Sequence, residues 1–149
     1  MDIEALRDEI KQFATDKMWI SAQDAERLDS VLNRLRIREE ALDFCAQQHM
    51  DLLETIAWLE SKYEYVATMG KRAVDTCRAE ITNKEIALAS KPTQYAITAA
   101  IEADPRYLRL VDEAEQRRQF ATYLATLRWG LKDRATMISN LYRRVPGVG

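Results

Sequence analysis

The sequence predicts an all-α fold. Of its 149 residues only 4 are Gly and 3 are Pro, about 5% against roughly 12% in average proteins, too little for the turns of a many-stranded sheet. Most of these few stand at the edges of long stretches rich in Ala, Leu, Glu, Arg, Lys and Gln, the residues that lose least entropy in a helix. Within those stretches apolar residues recur at steps of three and four, the helical period. A hydrophobic fraction of 47% beside 31% charged residues belongs to a chain with a packed core. The length suits one helical domain over 1–149.

Residues 1–20 form the first element, an amphipathic helix whose Ile3, Leu6, Ile10 and Phe13 make one apolar stripe on a charged rod. Residues 21–90 follow as a long helical stretch, opened by Ser21 and Asp24 in capping-box spacing. Its apolar positions include Leu28, Val31, Leu32, Leu35, Ile37, Leu42, Phe44, Cys45, Leu52, Leu53, Ile56, Leu59, Tyr63, Val66, Val74, Cys77, Ile81, Ile86 and Leu88. The phase shifts near Arg34 to Arg38, so the stretch is one bent helix or two successive ones. Gly70 is its only helix-weakening residue, at roughly 1 kcal/mol relative to Ala. Pro92 then removes a donor and pushes Lys91 out of helical geometry, which predicts a turn over 89–93.

Residues 92–144 hold a short helix from Thr93 to about Glu102, then a long one announced by Asp104-Pro105, a capping carboxylate before proline at the first helical position. The long helix runs to about Arg144 and carries Leu108, Val111, Ala114, Ala121, Leu124, Leu127, Leu131, Ile138 and Leu141 near the coiled-coil period. The terminal Val-Pro-Gly-Val-Gly reads as a frayed tail. A helix of about 38 residues is ~57 Å long, more than a compact globule of this size requires. The expected arrangement is therefore an elongated, coiled-coil-like antiparallel hairpin of two long helices. Its leftover apolar surface at Leu124, Leu127, Leu131, Ile138 and Leu141 would gather copies into a homo-oligomer.

Charge is polarised along the chain although the total is only −2. Residues 1–60 hold 7 basic and 14 acidic side chains, residues 61–105 hold 6 of each, and residues 106–149 hold 9 and 4. In the last part Arg128, Lys132, Arg134, Arg143 and Arg144 interleave with Trp129 and Tyr142. Cations neutralise phosphates while aromatic faces stack on unpaired bases, the combination that grips single strands. The same pattern also describes the solvated face of a long helix whose aromatics fill contact positions. A pI near 5.5 speaks against indiscriminate duplex binding, while an oligomer would repeat a modest patch several times. The acidic first third is either a contact for a neighbour's basic surface or a docking face for a protein partner.

No catalytic site is expected. One histidine, no HExxH, no Gly-rich phosphate loop and no GxSxG elbow leave hydrolase and kinase chemistry without residues to carry it. Glu39-Glu40 and Asp112-Glu113 diverge by about 100° on a helix and make no acid/base dyad. Cys45 and His49 stand four apart, but two ligands are too few for a metal site, and neither metal nor cofactor is predicted. Cys45 and Cys77, 32 residues apart, would lie on the order of 48 Å apart on one helix, out of disulfide reach. No run of ~18 apolar residues occurs, and Met1-Asp2-Ile3-Glu4 lacks a secretory layout. The expectation is a reduced, cytoplasmic protein with no membrane partner.

The segment from Lys91 through Asp104-Pro105 to Asp112, followed by a helix with Leu124, Leu127, Leu131, Arg134 and Ile138, resembles the UvsY-like recombination mediator proteins of bacteriophages. The order of features agrees over roughly residues 45–144: a helix carrying Trp58-Leu59, a basic stretch, a short helix, a pair like Ala103-Asp104, and a C-terminal helix with a late arginine. The resemblance implies a helical, ring-like oligomer that is no enzyme. Such a protein binds single-stranded DNA and helps load a RecA-type recombinase onto strands covered by single-stranded-DNA-binding protein, in the cytoplasm of a bacterial host. It makes Lys71, Arg72, Arg78 and Lys84 candidate strand contacts beside Arg128, Lys132, Arg143 and Arg144. Arg134, on the edge of the apolar stripe, reads rather as a structural arginine paired to a carboxylate across the helix pair. The competing function is a phage coiled-coil adaptor or inhibitor that binds protein helices without DNA. A helical metal enzyme would need a bundle of inward Glu and His ligands, which one histidine does not supply.

Overall fold

A computed structural model describes residues 3–14, 19–37, 46–88 and 91–144. Five helices follow in order: α1 (Ile3–Ala14), α2 (Ala22–Ile37), α3 (Ala46–Leu88), α4 (Gln94–Ala103) and α5 (Pro105–Arg144). No strand occurs among the described residues. Within the 21–90 stretch the described residues form α2 up to Ile37 and α3 from Ala46, and residues 38–45, which would decide between one bent helix and two, lie outside the described residues. Leu42, Phe44, Cys45 and the tail at 145–149 lie outside the described residues, as do the side chains of Leu35, Ile37 and residues 134–144. α3 continues through Gly70 for 43 residues, ~64 Å at 1.5 Å per residue.

Three helix starts have a local cause among the described residues. Ser21 Oγ accepts the Asp24 amide at 3.2 Å to open α2, and Thr93 Oγ1 accepts the Ala96 amide at 3.1 Å to open α4. Asp104 Oδ1 accepts the Arg106 amide at 2.8 Å in front of Pro105, satisfying a donor that has no partner within α5. Replacing such a cap by Ala typically costs about 1 kcal/mol.

The chain packs as two compact units, residues 1–62 with 120–149 and residues 63–119. In the first, Leu6 and Ile10 of α1, Leu28, Val31 and Leu32 of α2, and Leu52, Ile56 and Leu59 of α3 are buried with Phe120, Ala121, Leu124, Leu127 and Leu131 of α5. Each large apolar side chain so buried contributes roughly 1.5–3 kcal/mol. Phe13 stacks on Phe120 at 5.9 Å and meets Tyr123 edge-on at 5.6 Å, while Trp19 meets Phe120 edge-on at 5.5 Å, geometries that ring quadrupoles favour. This fixes α1 by Leu6, Ile10 and Phe13 of its predicted stripe, while the Ile3 side chain is not among those described. It also corrects the interface reading of the C-terminal stripe: Leu124, Leu127 and Leu131 are fully enclosed by the chain's own residues, so a neighbouring copy has nothing to cover there. Ile138 and Leu141 belong to the undescribed side chains.

The second unit buries Tyr63, Cys77 and Ile81 of α3 with Ile97 of α4. At Gly70 a Cβ would stand 3.4 Å from the Ala114 Cα and 3.3 Å from the Arg117 Cδ, so α5 passes α3 at close range there. Further along, Arg78 Nη2 donates to the Tyr107 hydroxyl at 2.6 Å and Arg106 Nη2 to Glu80 at 2.5 Å. Within this unit the partners climb along α3 as they descend along α5. Leu108 and Val111, placed in the predicted stripe, are exposed.

Candidate nucleic-acid interface

In the second unit Lys71, Arg72, Arg78 and Lys84 are all exposed on α3. At 100° per residue Lys71 and Arg78 share a face about 10.5 Å apart, Arg72 is turned by about 100–120° from them, and Lys84 points away from both. The four candidates therefore make no single stripe. Arg78 is held by Tyr107, whose ring lies 5.6 Å from its guanidinium carbon, and the hydroxyl's hydrogen bond pushes its pKa above the usual arginine range. Lys71 and Arg118 rim an open groove of about 550 Å³ floored by Ala67, Val74, Val111 and Ala114. Arg118 is also bound to Glu115 at 2.7 Å.

In the first unit the C-terminal candidates gather around an indole. Trp129 is 56% exposed, with the Lys132 ammonium 5.0 Å and the Arg128 guanidinium 5.3 Å from its ring centroid, a range in which the ring quadrupole attracts cations. Arg128 donates through both Nε and Nη2 to the Glu60 carboxylate, and its charge is already balanced by an acid on α3. Lys132 is exposed. Arg143 and Arg144 continue α5, but their side chains are not among those described.

A second indole of the same kind was not legible as a site. Trp58 is 48% exposed, with Arg27 of α2 at 4.8 Å and Lys62 of α3 at 5.4 Å from its ring. Asp24, only 2% exposed, accepts from Lys62 and has Arg27 at 3.8 Å. The four-residue spacing of Trp58 and Lys62 was available in the sequence, whereas Arg27 arrives from another helix through tertiary packing. Arg27 also lines a groove of about 390 Å³ with Gln23, Ser30, Val31, Arg34 and Thr55.

His49 is buried, and its Nε2 lies 3.0 Å from the Leu131 carbonyl oxygen, a buried polar group satisfied by backbone. Among the described residues no group of three His, Cys, Asp or Glu side chains is placed to hold a metal ion. No helix there is long and apolar enough to cross a membrane. Comparison with known protein families, with curated proteins and with solved structures finds no match. What the geometry offers chemically is recognition: exposed indoles to stack on planar groups, with cations beside them to meet anions.

Proposed function

We propose that this chain binds single-stranded DNA and acts as a recombination mediator, helping to load a RecA-type recombinase onto strands covered by single-stranded-DNA-binding protein. The observation that carries strand binding is the exposed Trp129 with Lys132 and Arg128 at its ring. Base stacking on an aromatic is worth about 1–3 kcal/mol, and neighbouring cations add counterion release. The mediator role rests on the resemblance of residues 45–144 to UvsY-like proteins. In this reading the chain acts by binding and without a cofactor. Its two long helices fold as a coiled-coil-like hairpin, and several copies assemble so that modest patches sum into useful affinity.

The test is an anisotropy titration with a labelled oligo-dT at several salt concentrations. Affinity at low ionic strength that falls steeply with salt supports the proposal. Absence of binding at low ionic strength, or a signal indifferent to salt, refutes it. Order-of-addition assays of recombinase ATPase on protein-coated strands then test loading. The adaptor reading is favoured by one observation, the apolar floor of the groove at Val74 and Val111. It requires a helical protein partner to co-purify and strand affinity to be nil.

A further inference from the structure

We infer that Trp58 is a second nucleotide site, where a base stacks on the open indole and Arg27 and Lys62 take the adjoining phosphate. This rests on the strand-binding reading above and adds a site on α2 and α3 to the one on α5. An indole half open to solvent contributes less to a core than an enclosed one, while Leu28, Leu52 and Leu59 on the same two helices are all buried. Its surroundings select the ligand. Two cations flank the ring, which disfavours a cationic guest, and the groove that Arg27 also lines is walled mostly by polar side chains, among them Gln23, Ser30 and Thr55, so an apolar helix has little to bury there. A planar group bearing a phosphate matches both the ring and the charges.

Asp24 gives this site a fixed geometry. A nearly enclosed carboxylate bonded to Lys62 and near Arg27 holds two long side chains from different helices beside one ring, so less of their freedom remains to be lost on binding. Asp24 offsets part of the charge that the two cations bring to the ring. Glu26 and Arg34 both line the groove that Arg27 lines. A phosphate here meets two cations whose charge Asp24 partly offsets.

The experiment uses the full chain, with a labelled oligo-dT read by anisotropy and helicity checked by circular dichroism. Trp58→Leu, which keeps an apolar side chain but removes the stacking face, weakens binding about tenfold, and Trp58→Tyr restores most of it. Arg27→Gln lowers the slope of log affinity against log salt by about one. Unlabelled thymidine monophosphate as competitor separates sources: a strand site is displaced only at far higher nucleotide concentration than by oligo-dT, a free-nucleotide site equally well, and the latter outcome overturns the inference. Wild-type affinity in Trp58→Leu together with a loss in Trp129→Leu overturns it while leaving strand binding intact. No affinity of the wild type for oligo-dT removes both.

Discussion

Glu60→Gln separates the structural role of Arg128 from its proposed role in binding. The wild-type guanidinium makes two hydrogen bonds to the Glu60 carboxylate, with side chains only 24% and 11% exposed. Removing one partner of a fully buried pair costs about 3–5 kcal/mol, because a charge is left enclosed without its counterion. Here water reaches part of Arg128 and the Trp129 ring lies 5.3 Å away, so the expected loss is about 2 kcal/mol. Arg128→Met, which removes the enclosed charge instead of stranding it, leaves Glu60 without its partner and costs about the same. The double variant is less destabilised than the sum of the two, by about 1–2 kcal/mol. Urea unfolding followed by circular dichroism measures all four species. A loss near 2 kcal/mol moves the midpoint by about 1 M for a slope near 2 kcal/mol/M. Strand affinity changes in the opposite direction, since Glu60→Gln releases a cation beside Trp129 and should tighten oligo-dT binding severalfold. Additivity within about 0.5 kcal/mol, with unchanged affinity, would sink the claim that this ion pair holds the two helices and withholds Arg128 from a ligand.

Three further outcomes follow from the packing. Leu127→Asp and Leu131→Asp place an ionised carboxylate at positions with no solvent exposure, so both should lose helicity and not merely change mass; smaller particles with full helicity by light scattering and circular dichroism would return these residues to an interface. Gly70→Ala gains up to about 1 kcal/mol of helix propensity, and the contacts it meets are the Arg117 Cδ, on a flexible side chain, and the Ala114 Cα. A net gain of about 0.5 kcal/mol is expected, and a fall in thermal midpoint would show that the helices have no room to yield. Asp24→Asn removes the anion shared by Lys62 and Arg27 and should lower stability by about 1–2 kcal/mol while steepening the salt dependence of strand binding by about one; a shallower slope would contradict the arrangement at Trp58.

The local elements were legible because their signals are local. Ser21, Thr93 and Asp104 cap helices where the sequence places starts, and Leu6 and Ile10 are buried as the stripe of α1 requires. Periodicity says that a face is apolar, but not what covers it. Leu124 and Leu131 were therefore assigned to a contact between copies, although the chain itself encloses them. The candidate site divides in the same way. Trp129 with Lys132 could be read from spacing, since residues three apart on a helix are neighbours. The commitment of Arg128 to Glu60, 68 residues away, and the arrival of Arg27 at Trp58 depend on which helices meet.

The acidic first third gains a physical account from the same pairs. Asp24 binds Lys62 and lies near Arg27, Asp29 binds Lys11 at 3.2 Å, and Glu60 binds Arg128. Acids that looked like a docking face are thus partly spent inside the first unit on cations from α1, α2, α3 and α5. Two of these pairs lie beside an exposed tryptophan, so the carboxylates position the cations while diluting their charge. A site built this way favours a ligand that supplies both a planar ring and an anion over one that supplies charge alone. Flexible single strands should accordingly bind better than duplex of equal phosphate content, and equal affinities for the two would mean that the indoles take no part.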